Sequence, residues 1–119
     1  REGLIREAVN YHGELCPGVA VAVRVAEAAT RILKCDLSMP QVSVTLGSDP
    51  CIADALIGIT GARPGNRRLG CSGGDCYVFA GPGEEAVFCL RQGLENVDAV
   101  LACSEASLFD CDVRSRHSQ

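Results

Sequence analysis

The sequence predicts a single α+β domain. Residues 19–34 are almost all apolar, with charged residues recurring only every three or four positions, which is the pattern of a helix buried except for one stripe. Val42, Val44 and Leu46 alternate with Ser43 and Thr45, the period of a half-buried strand. A chain of 119 residues with 47% hydrophobic content can bury one core and rarely two, so residues 1–119 are expected to form one unit.

Residues 4–11 read as a short helix leading into the turn at 12–18. The long helix over 19–34 carries its polar stripe on Arg24, Glu27, Thr30, Arg31 and Lys34, and Glu27 and Arg31 have the favourable i,i+4 order for an ion pair. A turn at 36–40 precedes the strand over 42–46, which Gly47 ends. A further helix follows, with Asp49 as its N-cap, Pro50 at the first position and Gly61 after the last turn. Residues 62–66, with Pro64-Gly65, form a loop. Three strands are expected near 67–71, 76–80 and 86–91, joined by Ser72-Gly73-Gly74-Asp75 and Gly81-Pro82-Gly83, both rich in turn residues. Leu94, Val97, Val100 and Leu101 then suggest another helix, and residues 108–113 a final strand. Residues 114–119 are polar and expected to fray, with His117 an ordinary exposed residue.

The formal charge of -4 is spread along the chain, and the basic residues stand singly apart from Arg67-Arg68, so neither nucleic acid nor a membrane surface is expected as a partner. No stretch is apolar for long enough to span a bilayer, and none reads as a secretory leader. Of the eight cysteines, Cys35 and Cys89 fall inside apolar segments that need no staples, and the chain has too much regular periodicity for a loop-rich disulfide framework, which suggests reduced thiols in the cytoplasm. No C-x-x-C pair supports an iron–sulfur cluster.

Two cysteines stand beside prolines at helix starts: Leu15-Cys16-Pro17 and Asp49-Pro50-Cys51. Free N–H groups and the helix dipole favour a thiolate there, the form that binds metals. His12 lies one short turn upstream of Cys16. If the two helix starts face each other, His12, Cys16 and Cys51 make a soft three-ligand set with room for a fourth group. The bland alternative is two small buried cysteines and a histidine bonded to its own turn. Two thiolates and an imidazole suit zinc or another divalent transition metal far better than magnesium or calcium. Asp54 lies three residues beyond Cys51 on the same helix face; it or Glu14 could serve as a supporting group, fourth ligand or proton acceptor.

Cys71 and Cys76 flank the four-residue turn 72–75 and are expected to face each other across a hairpin, within reach of a disulfide. They would then be a redox or auxiliary metal pair, or else two strand-end cysteines without a task. The run Gly70-Cys71-Ser72-Gly73-Gly74 is no phosphate loop, because no lysine follows and no strand-to-helix turn surrounds it. Cys35, Cys89, Cys103 and Cys111 read as core or near-surface thiols.

The order Tyr11-His12-Gly13-Glu14-Leu15-Cys16-Pro17-Gly18, a long alanine-rich helix, a strand, Cys51-Ile52-Ala53-Asp54-Ala55 and then Gly61-x-x-x-Gly65-Asn66 resembles the FmdE family, named for formylmethanofuran dehydrogenase, over residues 1–113. The resemblance implies helix, strand, helix and three more strands on a mixed sheet, similar to the C-terminal domain of glyceraldehyde-3-phosphate dehydrogenase. It also implies a divalent metal, zinc above all, near His12, Cys16 and Cys51, and it favours a homodimer. Relatives often carry a second histidine at Glu14, a cysteine at Ala62, a lysine near the turn between Cys71 and Cys76, and a C-terminal zinc-finger module; this chain reads as the core domain alone or as a truncated form of a longer one.

The expected function is therefore metal binding, in an accessory or metal-handling role within a larger redox-enzyme complex built on formylmethanofuran dehydrogenase or a related molybdenum or tungsten enzyme. A zinc-dependent hydrolase or lyase with an open metal position is the enzymatic alternative, and a thiol redox module on Cys71 and Cys76 is the third.

Overall fold

The computed structural model describes residues 1–91 and 95–116, so Leu94 and His117, read above as helix and exposed tail, lie outside the described residues. Among the described residues, five helices, α1 (Glu2–His12), α2 (Pro17–Leu33), α3 (Pro50–Thr60), α4 (Val97–Ala102) and α5 (Glu105–Leu108), accompany five strands, β1 (Ser43–Leu46), β2 (Leu69–Cys71), β3 (Cys76–Ala80), β4 (Glu84–Leu90) and β5 (Phe109–Ser115). The strands form one mixed sheet in the order β2-β1-β3-β4-β5, parallel only between β1 and β2. Four of them match the resemblance, and the fifth is the strand read at 108–113. The loop at 62–66 contains one 3₁₀ turn, Pro64–Asn66.

Helix α2 is the centre of the molecule. Ten of its residues are buried, from Val19 to Ala29, and it packs against α1, α3, α4 and β4. The alternation expected of the strands is visible in β3, where Tyr77 and Phe79 are buried and Cys76, Val78 and Ala80 are only partly covered. Phe88 meets Phe79 and Phe109 edge to face, with ring centroids 5.8 and 5.1 Å away, which ties three strands into one core.

Three expectations change. Arg24 does not sit on a solvent stripe: it is buried, and its guanidinium donates to the Val100 and Cys103 carbonyls at 2.7 Å each, satisfying groups at the end of α4 that have no partner within the helix. Glu27 and Arg31 do not pair with each other. Arg1, ahead of α1, and Arg24, three residues back on α2 itself, take Glu27 at 2.8 and 3.4 Å, while Arg31 reaches across to Glu105 of α5 at 2.7 Å. Nor do residues 114–116 fray: Arg114 and Ser115 continue β5, and Arg116 donates through its backbone to Gly83 and through its side chain to Gly81.

The expected Cys71–Cys76 pair is also corrected. The turn 72–75 does not close a hairpin; it crosses the end of β1, using Gly73 and Gly74 at φ +74° and a bond from Ser72 N–H to the Leu46 carbonyl. Cys71 therefore lies on one side of β1 and Cys76 on the other, about 10 Å apart by strand spacing and beyond the reach of a disulfide. Cys76 is instead bonded to Cys89, directly opposite on β4, with S–S 2.04 Å and Cα–Cα 4.0 Å. The bond from Leu90 N–H to the Asp75 carbonyl makes the next pair, Cys76 and Cys89, a non-hydrogen-bonded one, where facing side chains come closest. Cys89 is thus no free core thiol, and the expectation of a fully reduced chain fails at this pair.

Candidate metal centre

Three local devices bring the site together. Gly13, left-handed at φ +108°, stops α1 with His12 as its last residue. Cys16 is the N-cap of α2, with Pro17 at the first helical position. Asp49 caps α3, its Oδ1 accepting from the Cys51 and Ile52 N–H groups at 2.9 and 3.1 Å, so Cys51 sits in the first turn. The Asp49 turn is itself anchored on the sheet: Asp49 N–H donates to the buried Tyr77 hydroxyl at 3.0 Å, and Ser48 N–H donates to the Gly74 carbonyl at 2.9 Å. Neither anchor is visible in the sequence, since Tyr77 reads there only as a strand residue.

The helix starts touch because of glycine. A Cβ on Gly18 would lie 2.7 Å from the Cys51 Cβ, and one on Gly58 would lie 2.6 Å from the Glu7 carbonyl oxygen and 2.8 Å from the Tyr11 Cβ. Gly18 lets α3 approach α2, and Gly58 lets α1 lie on α3. Gly18→Ala is expected to leave a folded protein whose metal uptake falls sharply, because the added methyl must displace Cys51; a metal titration compared with a circular dichroism melt checks it.

His12, Cys16 and Cys51 offer ligand atoms that all lie within 4.8 Å of one another, each residue half-buried. Cys16 Sγ is 3.7 Å from His12 Nε2. On the far side of the ring, Nδ1–H donates to Asp54 Oδ2 at 3.0 Å. That bond fixes the tautomer and turns Nε2 toward the sulfurs, as a carboxylate behind a metal-binding imidazole does. Asp54 thus holds the imidazole from behind. Glu14 is exposed and stands outside the cluster, and Ala62 is fully buried with no donor to offer.

The hydrogen bond to Asp54 raises the His12 pKa above the ordinary imidazole value despite partial desolvation, with Cys16 adding to the effect. Burial works against ionising Cys16, but hydrogen bonds from the Val19 backbone, Cys51, His12 and the Gly18 backbone outweigh it and hold this thiol below its usual value. Cys51 is pushed up to about 11 by burial and by the neighbouring Cys16. Of the pair, Cys16 is therefore the first to ionise and Cys51 the one that keeps its proton.

The remaining motif residues are structural. Asn66 Oδ1 accepts from the Arg63 and Arg68 N–H groups and its Nδ2 donates to Gly61 O, closing the loop after α3. Arg68 then donates to the Val42, Leu37 and Thr60 carbonyls, tying that loop to the start of β1.

A family model described as FmdE, molybdenum formylmethanofuran dehydrogenase operon, matches residues 11–109, the span that holds all three cluster residues. No curated protein matches the chain.

Proposed function

The chain belongs to the FmdE family, and on that premise we propose that it binds one soft divalent transition metal, zinc by preference, through His12 Nε2, Cys16 Sγ and Cys51 Sγ. The observation that carries this is the convergence of one imidazole and two thiols from three helices within 4.8 Å, with Asp54 already holding the imidazole by its other nitrogen. Such a donor set suits zinc, which takes tetrahedral nitrogen and sulfur ligands. When bound, the metal supplies Lewis acidity and a position for a water or a transferred ligand. The chain's own residues do the rest: Asp54 orients His12, Asp49 fixes Cys51, and the N–H groups of α2 stabilise charge on Cys16.

The role we assign is metal handling or accessory service to formylmethanofuran dehydrogenase or a related molybdenum or tungsten enzyme. Exposure of Tyr11 (46%), next to His12, and Leu15 (39%), next to Cys16, supports a docking rim beside the site. A zinc-dependent hydrolase or lyase is the second reading, favoured by the absence of a fourth histidine, cysteine or carboxylate ligand from the cluster among the described residues. Asp54→Asn tests the assignment of the site: metal affinity should fall about 10- to 100-fold while the fold is kept, since only the partner behind the imidazole changes. Unchanged affinity in a competition titration would remove Asp54 from the site.

We also propose a homodimer. No helix of the described residues is long and apolar enough to cross a membrane, yet β5 is an edge strand exposed from Asp110 to Ser115, the kind of edge that a second copy covers. Sedimentation at micromolar concentration should give a dimer; a monomer there rejects it.

A further inference from the structure

We infer that Cys16 and Cys51 are also an oxidation site: a hydroperoxide converts the pair to a disulfide in the metal-free chain, and the same reaction discharges the metal from the loaded one. The second half rests on the metal reading above. The first half stands on the geometry of the sulfurs alone.

Cys16 and Cys51 are both free thiols, both half-buried, with sulfurs within 4.8 Å of each other. A small oxidant can reach them. They come from the first turns of two helices in contact at Gly18, where an added Cβ would lie 2.7 Å from the Cys51 Cβ and 3.8 Å from its sulfur. A disulfide needs Cβ atoms about 3.8 Å apart and sulfurs about 2 Å apart, and the two sulfurs, within 4.8 Å of each other, close that gap by turning the side chains and a small approach of the helix starts. Cys16 is the N-cap of α2, whose first-turn N–H groups and dipole favour a thiolate, whereas the Asp49 carboxylate already takes the N–H groups at the start of α3, and this makes Cys16 the nucleophile of the pair.

The chemistry balances without another reactant. The Cys16 sulfur attacks the terminal oxygen of the hydroperoxide, the O–O bond breaks, an alcohol (water, from hydrogen peroxide) departs, and Cys16 becomes a sulfenic acid. The Cys51 sulfur then attacks the Cys16 sulfur, the S–O bond breaks, water leaves and the S–S bond forms. Two thiols have lost two electrons and two protons, and the peroxide has been reduced. Neutral disulfide sulfurs are poor ligands, so only His12 is left to the metal. A dithiol reductant reverses the bond and restores the site.

The test uses the full chain with one equivalent of hydrogen peroxide, first metal-free and then loaded with zinc. In the metal-free arm the mass should fall by two hydrogens, and peptide mapping should link Cys16 to Cys51 separately from the existing Cys76–Cys89 bond. Cys51→Ser should instead stop at a sulfenic acid on Cys16 that dimedone traps. In the loaded arm a chromophoric chelator should register zinc released in step with that disulfide, and a dithiol should allow reloading. His12→Ala separates the two claims: it should lose zinc yet still form the bond. If zinc never binds but the disulfide forms, the metal reading fails and the oxidation site stands. The inference is overturned if both thiols remain open to alkylation after peroxide, if Cys16 proceeds to the sulfinic acid with Cys51 still free, or if either cysteine links to a different partner.

Discussion

Serine in place of Cys16 or Cys51 should bring the metal content of the purified chain to background, against close to one ion per chain in the unaltered protein prepared under reducing conditions. Each substitution removes a sulfur donor from a set of three, and the two ligands left come from two different helices with nothing to complete the shell. Elemental analysis decides it, and unchanged content in either variant would dismiss the centre. The same contrast appears in stability. A metal that binds only the folded chain stabilises it by mass action, about 4 kcal/mol at a thousandfold excess over Kd, so chelation should lower the Tm of the unaltered protein and leave both variants where they are. The sign of the pH dependence follows from the free chain. Cys51, pushed up to about 11, and His12, raised above an ordinary imidazole, both hold protons that the metal must displace. Apparent affinity therefore falls as pH falls, and competition titrations at two pH values should show it.

Gly58→Ala should be the more damaging of the two glycine substitutions. The new methyl would sit 2.6 Å from a backbone oxygen of α1 and 2.8 Å from the Tyr11 Cβ, neither of which a side-chain rotation can move. Helix α1 must shift bodily, at a cost of about 1–3 kcal/mol for overpacking. That helix ends in His12, so the variant should lose metal affinity along with several degrees of Tm. A melt paired with a metal titration separates this from Gly18→Ala, where loss of metal should outrun loss of stability because the added atom meets Cys51 itself. A Gly58→Ala protein as stable as its parent would show that α1 does not lie against α3 as described.

Most of the candidate site could be read from local chemistry. Proline at the first helical position, Asp49 as a cap and Gly61 as a stop each act within a few residues, so the starts of α2 and α3, and with them the placing of Cys16 and Cys51, follow from the sequence. Alternation and turn residues likewise located all five strands to within a few residues. Asp54 was legible as a neighbour of Cys51, but its partner was not, because the bond to His12 spans 42 residues and exists only once α1 lies on α3.

By itself, then, the sequence determined which elements form, where they start and which residues have the chemistry of a metal site. Tertiary structure alone decided who meets whom. Cys71 and Cys76 are near in sequence yet separated by β1, which enters the sheet between their strands, and Cys76 is left to pair with Cys89 across the next hairpin. Arg24 has the charge of a surface residue, but α4 packs over it and gives it two carbonyls to satisfy. The physical reason is the same in each case. Helix caps, turns and strand alternation are short-range preferences of the backbone, whereas strand order and the partners of long side chains are set by which apolar faces must be buried together, a property of the whole chain.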